Sequence, residues 1–414
     1  MIHFCIFVDV IIHLIMEIAD LFRISNNLVR SINLDKKRYM YDKISWSLPM
    51  LCIKGARGIG KTTMLLQRMK FEFKGEEALY VSLDNIWFSE HRLLDLVDYH
   101  YNHGGTHIFV DEVHRYPYAN WIQEMKNIYD SYPGYHVAFT GSSLLKIDMA
   151  MADLSRRCIF YDMQGMSFRE YLDFEGVASL PAYGLDDILN NHIQIETDIL
   201  KNVKPLKFFS DYLVHGYYPF YEKYASTYSE ALQQIINAII DSDIPTSLNI
   251  EKITVNKFKR LLFIISQMVP FAPNISKLGQ SIEANRQKTY DMLATLSKAA
   301  LINNLYSGKD NMQQLCKPEK VYMENTNLLY ALSSNVTNGN ARETFFANQI
   351  KEAHSATFSG DGDFFVDGKY TVEVGGKDKT FDQIKDIPDS FLAIDDVESG
   401  HRNKIPLWLF GFLY

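Results

Sequence analysis

Cysteine is scarce in this chain of 414 residues: only Cys5, Cys52, Cys158 and Cys316 occur, far apart and without a C-x-x-C pair. That spacing supplies neither a zinc ligand set nor a disulfide framework, and it fits a reducing, cytoplasmic setting. Positive charge is not in surplus either. Lys and Arg number 42 against 50 Asp and Glu, a net charge of −8. This excludes a uniformly basic coat for nucleic acid and leaves room only for a local basic face. Long apolar runs are missing as well. The stretch MIHFCIFVDVIIHLIM is short for a membrane span and carries His3, Asp9 and His13. It has no basic start and no small-residue cleavage site, so it does not read as a signal peptide. Met16 opens a segment with helical spacing of Ile18, Leu21, Phe22, Leu28 and Val29. The expected product therefore starts there, the alternative being a packed or membrane-touching N-terminal helix. An apolar fraction of 47% and a charged fraction of 22% are those of a globular protein. The length suggests about three domains.

What is present begins at Met50. MLCIKGARGIGKTTMLLQRM reads as an apolar strand, a Gly-rich turn and a helix. Within it Gly55, Ala56, Arg57, Gly58, Ile59, Gly60, Lys61 and Thr62 fit G-x-x-x-x-G-K-[ST], with Thr63 following. In such a loop backbone N–H groups curl around phosphates at a helix N-terminus. Lys61 would bridge the β- and γ-phosphates, Thr62 would offer its hydroxyl to Mg²⁺, and Arg57 is expected to point outward. Downstream, His107-Ile108-Phe109-Val110-Asp111-Glu112 is an apolar strand ending in two carboxylates, the Walker B pattern. Asp111 would hold Mg²⁺, and Glu112 would polarise the attacking water. A further strand, His136 to Thr140, runs into Gly141-Ser142-Ser143, where Ser142 is either a sensor of the γ-phosphate or part of a plain turn. Asp84, after the strand Ala78–Leu83, is read as a turn residue.

Taken in order, GARGIGKTT, HIFVDEVHRYP and AFTGSSLLKI resemble the AAA+ superfamily. Leu154-Ser155-Arg156-Arg157 followed by Gly165-Met166-Ser167-Phe168-Arg169-Glu170-Tyr171 is similar to a group of prokaryotic AAA-type ATPases with a "GR…PLSFREF" signature. The resemblance implies an α/β fold: a P-loop NTPase parallel sheet with a helical lid, then a winged helix and a small α/β domain related to PD-(D/E)xK nucleases. It implies binding and hydrolysis of ATP with Mg²⁺, coupled to action on a partner. Arg156 or Arg157, the latter taken as catalytic, would stabilise charge at the transferred phosphoryl group, within the chain or across a subunit interface. The expected boundaries are 1–20 for an N-terminal extension, 21–164 for the ATPase core, 165–248 for the lid, 249–335 for the winged helix and 336–414 for the nuclease-like domain.

The residues add detail to that scheme. Aromatics at helical spacing from Phe208 to Tyr218 read as core of the lid rather than as a base-stacking surface. From Ile250 to Asp310 nine basic residues face four acidic ones, and 274–282 followed by 285–300 has helix-turn-helix spacing. Leu301 to Tyr306 and Lys320 to Met323 alternate like the strands of a wing. Arg286 and Lys288 would then contact duplex DNA, the alternative being a module that docks an unknown protein. Farther on, Glu343, Asp363 and Glu373 are spaced like the carboxylates of a nuclease. The lysine expected two residues after Glu373 is replaced by Gly375, however, and the nearest is Lys377. A vestigial, non-cutting site is the expectation. Rival readings are an ATP-switched DNA-binding regulator or defence protein with little turnover, and a metal-dependent nuclease. An oligomer is compatible with the sequence.

Overall fold

The computed structural model describes residues 2–118, 120–142, 144–248, 250–308 and 317–414, without the side chains of 2–16, 144–146 and 149. Ser143, Lys309, Asp310 and Cys316 of the sequence reading, and the side chain of Cys5, lie outside the described residues. The chain forms two compact units, 1–163 and 164–414.

The first unit is built in the order α1 (Ile2–Ser31), α2 (Met40–Lys43), β1 (Met50–Lys54), α3 (Lys61–Glu72), β2 (Ala78–Ser82), α4 (Leu93–Asn102), β3 (His107–Asp111), α5 (Trp121–Ser131), β4 (His136–Gly141), α6 (Leu144–Leu154) and β5 (Ile159–Asp162). All its strands run parallel, in the order β2-β3-β4-β1-β5. A parallel sheet with helices as crossovers buries both faces, which is why β1 and β4 are near-continuous apolar runs rather than alternating ones. Strand β4 lies between β1 and β3, so the residues after β3 and β4 converge beside the loop that follows β1. The chain reverses direction across the sheet at β1, which opens a crevice at its carboxyl end.

Helix α1 runs unbroken through the expected boundary at residue 20. Its Ile18 and Leu21 are 3% and 4% exposed within the same apolar cluster as Leu79, Val81, Leu96 and Val97. The Ser25 hydroxyl accepts the Tyr80 N–H at 3.1 Å, so the helix also takes up a backbone donor of β2. From residue 17 onward this helix is thus part of the first unit's core and not an appendage to it.

The second unit comprises α7 (Phe168–Phe174), α8 (Leu185–Leu200), α9 (Leu206–His215), α10 (Tyr228–Ala238), α11 (Ile244–Leu248), α12 (Lys252–Met268), α13 (Ile275–Ser281), α14 (Arg286–Lys298), β6 (Ile302–Leu305), β7 (Lys320–Met323), α15 (Thr326–Leu332), α16 (Asn338–Ile350), β8 (Ala356–Phe358), β9 (Phe364–Val366), β10 (Tyr370–Gly375), β11 (Ser390–Ile394) and β12 (Lys404–Pro406). β6 and β7 pair antiparallel as a two-stranded ribbon, bridged at Val321 by Phe271 and, just after β6, at Ser307 by Phe358. The other strands form a mixed sheet in the order β12-β11-β10-β9-β8. The segments expected as three separate modules are stitched into one unit. The Tyr414 carbonyl accepts hydrogen bonds from Ser167 Oγ at 2.9 Å and Arg169 Nε at 2.8 Å, returning the last residue to the start of α7. Phe209 packs edge to face on Phe168 and on Phe345, the latter with centroids 4.9 Å apart, and Tyr212 packs edge to face on Phe345 and tilted against Phe168. Phe209 and Tyr212 of α9 are interior in this unit, whereas Phe208 is only partly buried.

Among the described residues no helix is long and apolar enough to cross a membrane. Because Leu21 is core, Leu21→Ala should cost about 2–5 kcal/mol in urea unfolding. Ile24→Ala, at a position 38% exposed, should stay within about 0.5 kcal/mol.

Candidate nucleotide site

The loop between β1 and α3 has the backbone that its glycines permit. Gly60, which caps α3, sits at φ 100°, a left-handed conformation that a side chain disfavours. A Cβ on Gly55 would strike the Met163 carbonyl and Ile59 Cδ1. Lys61 opens α3 and is 5% exposed, its ammonium donating to the Gly55 carbonyl at 2.9 Å and to the Ala56 carbonyl at 2.7 Å. Burial lowers its pKa to about 8.

One helical position further, Thr62 Oγ1 donates to Asp111 Oδ2 at 2.6 Å. Asp111 is 3% exposed and collects more than this bond. Tyr80 on β2 donates to Oδ2 at 3.0 Å, Thr140 on β4 donates to Oδ1, and the Glu112 N–H reaches Oδ1 at 3.1 Å. Glu112 itself adopts a left-handed backbone, φ 53°. Its Oε2 lies 3.2 Å from both Ser142 Oγ and His114 Nε2. Burial raises its pKa and the charge of Asp111 adds to the rise, while Lys61 and Arg57 oppose it.

The loop 55–63, Thr62, Asp111, Glu112 and Ser142 are therefore together at the carboxyl ends of β1, β3 and β4. Arg57 departs from its expected outward direction. It is half-buried, one guanidinium nitrogen is fully buried without a hydrogen-bond partner among the described residues, and its charge is felt at Lys61 and Glu112. A cation held this way beside a loop of N–H groups is suited to an anion. The donors present thus fit a nucleotide triphosphate, and the Thr62–Asp111 oxygen pair fits Mg²⁺.

Arg157 is placed elsewhere. Its guanidinium forms a fork with Asp130, Nε–Oδ1 3.0 Å and Nη2–Oδ2 2.7 Å, beside the Tyr129 ring. Asp130 closes α5 ahead of β4, and Arg157 precedes β5, so both belong to the amino ends of the strands, opposite the phosphate loop. Within its own chain Arg157 does not reach the site, and Arg156 beside it is exposed. Tyr80, Thr140, His114 and Arg38 were missed by the sequence reading. The first two are polar residues on buried parallel strands, a signal that could have been used. Arg38, 5% exposed and donating to the Ile59 carbonyl from 21 residues upstream, carries no such signal.

In the second unit, Arg286 lies over Tyr290, donating to its hydroxyl at 3.3 Å, and Lys288 reaches Thr254 Oγ1 at 3.4 Å. Glu343 and Asp363 both touch Lys320, at 3.1 and 2.8 Å. Glu373 pairs with Lys379, whereas Lys377 is exposed. The lysine beside Glu373 is therefore Lys379, which ends the turn closed by its N–H on the Gly376 carbonyl. Gly375 lies directly against the Lys379 side chain. No group of three or more His, Cys, Asp or Glu suited to a metal occurs among the described residues.

Comparison with known proteins agrees with the phosphate loop. Residues 47–172 match the AAA domain family, and residues 206–339 match a domain of unknown function. "Uncharacterized protein MJ1637" of Methanocaldococcus jannaschii is 25% identical over 319 residues, 70% of this chain. The chain spans 65% of the length of that relative. Among solved structures, the Walker-type ATPase PABY2304 of Pyrococcus abyssi is similar over 74% of this chain and 99% of its own, at 9% identity and a TM-score of 0.39. RuvB of Thermotoga maritima is similar over 69% and 89%, at 10% identity and a TM-score of 0.26. The fold assignment rests on the strand order and loop described above.

The ammonium of Lys61 is the form that attracts phosphate, and its lowered pKa places the loss of that proton near pH 8. Raising the pH from 7 to 9 should therefore weaken metal-free triphosphate binding about tenfold. Titration with a fluorescent nucleotide checks this, and Lys61→Arg should flatten the profile.

Proposed function

We propose that this chain binds ATP with Mg²⁺ in the loop 55–63 and hydrolyses it. The reading is carried by one observation: Thr62 and Asp111 are joined while Glu112, the next residue, is held separately by Ser142 and His114. Metal holding and water activation are thus assigned to adjacent carboxylates with different surroundings. Backbone N–H groups of Gly58 to Thr62 would cradle the phosphates, with Lys61 leaving its carbonyl partners for phosphate oxygens. Mg²⁺, when bound, supplies charge neutralisation at the β- and γ-phosphates. Thr140 and Tyr80 orient Asp111, and Ser142 fixes the Glu112 carboxylate. Glu112 accepts a proton from the attacking water, helped by the burial that raises its basicity. Beside Lys61, the half-buried Arg57 would add a second intrachain counter-charge for the phosphates, a role that Arg157, paired with Asp130, does not take within its own chain.

Hydrolysis would act on a partner through the second unit. A winged-helix reading of α12–α14 with the β6–β7 ribbon is supported by the exposed Arg286 and Lys288 at the start of α14. Duplex DNA is the partner this favours, and a regulator that switches on ATP without turning it over is the second reading.

Steady-state ATPase measurements separate these. Lys61→Ala should abolish nucleotide binding, whereas Glu112→Gln should bind ATP and lose turnover by 10²-fold or more, the usual scale for removing a general base. Normal turnover in Glu112→Gln would sink the assignment. For the DNA reading, Arg286→Ala and Lys288→Ala should each reduce the slope of log affinity against log salt by about one. Unchanged slopes would redirect the search to a protein partner.

A further inference from the structure

The carboxylates expected as a vestigial nuclease site are occupied from within the chain. Lys320 lies on β7, on the ribbon, and reaches across to Glu343 on α16 and to Asp363 just before β9. Its ammonium is 3.1 Å from Glu343 Oε2 and 2.8 Å from Asp363 Oδ1, and its side chain is 23% exposed. Tyr322, two residues on, donates its hydroxyl to the same Glu343 oxygen at 3.0 Å. The other Asp363 oxygen accepts the Val374 N–H at 3.0 Å. Glu373, on β10, gives one oxygen to Lys379, and Gln383 Nε2 lies 3.4 Å from the other.

Both oxygens of Asp363 and both of Glu373 are thus taken by groups of the chain. A divalent cation in such a cluster must collect several carboxylate oxygens at 2.0–2.6 Å. Here it would have to expel Lys320 from between two of them. Like-charged carboxylates at close quarters also need a positive charge to stay ionised together, and burial with the neighbouring Asp363 already pushes the Glu343 pKa upward.

We propose that Lys320 is the built-in cation of this cluster: it bridges Glu343 and Asp363 where a divalent ion would otherwise sit, and so pins the ribbon to the C-terminal sheet without a metal. The second unit then uses these nuclease-type carboxylates as a structural joint rather than as a phosphodiesterase centre. The inference does not depend on the ATPase reading, since none of these residues belongs to the first unit.

Metal binding to the full chain, without nucleotide, tests it. Mn²⁺ uptake followed by electron paramagnetic resonance should be unchanged when Asp363→Asn is made in the otherwise native chain. Lys320→Met should gain one Mn²⁺ site per chain, and Lys320→Met/Asp363→Asn should lose it again. Mn²⁺ should also raise the Tm of Lys320→Met more than that of the native chain or of Lys320→Met/Asp363→Asn, because only Lys320→Met would bind it at this cluster. If Lys320→Met does not fold, Lys320→Met/Glu343→Gln removes one charge of each sign and should fold again. The proposal is overturned if Asp363→Asn reduces Mn²⁺ uptake by the native chain, or if folded Lys320→Met gains no site. It is equally overturned if Lys320→Met fails to fold and Lys320→Met/Glu343→Gln fails as well, or if the native chain nicks plasmid with Mn²⁺ in a manner abolished by Asp363→Asn.

Discussion

A single buried carboxylate organises the first unit. Asp111 accepts hydrogen bonds from the helix after the phosphate loop, from the strands on both sides of its own and from the next residue along the chain. A charge taken out of water costs several kcal/mol unless its lone pairs are satisfied, and four donors from four places in the sequence meet that requirement. Sheet order, loop position and the direction of Glu112 therefore depend on one another. Strand β4 must lie between β1 and β3 for Thr140 to reach Asp111.

The electrostatics of the same crevice follow from burial. Lys61 and Arg57 sit on one side and Asp111 and Glu112 on the other, with each pair limiting the cost of the other. Lys61 is held by backbone carbonyls, which are neutral partners and are easily exchanged for phosphate oxygens. Glu112 is held by Ser142 and His114, away from the Thr62–Asp111 pair. The left-handed backbone of Glu112 turns its side chain off the line of β3 and makes this separation possible.

In the second unit polar contacts of long sequence separation join the parts. Asn327, 1% exposed, donates to the Tyr212 and Leu213 carbonyls and accepts from the Tyr217 N–H and the Tyr228 hydroxyl. One short side chain on α15 thereby closes the end of α9 and ties it to α10. An amide that is fully bonded in the interior specifies one arrangement, since any other would leave its donors and acceptors unpaired. Lys320 plays a comparable part between the ribbon and the C-terminal sheet.

The sequence by itself determined the phosphate loop, the strand carrying Asp111 and Glu112, the parallel α/β character of the first unit and the interior role of Phe209 and Tyr212 on α9. These are local signals: glycines at fixed offsets, apolar runs ending in carboxylates, and helical spacing. Tertiary structure alone decided the rest. Arg157 follows Ser142 closely in sequence, yet helix α6 carries it to the amino ends of the strands, beside Asp130. Arg38 reaches the loop from a position that no spacing rule links to it. Lys379 took the place beside Glu373 expected of Lys377, and Lys320 entered a carboxylate cluster 23 and 43 residues away. A motif is written along the chain, but a charge finds its partner through space, and burial makes the nearest opposite charge the one that counts.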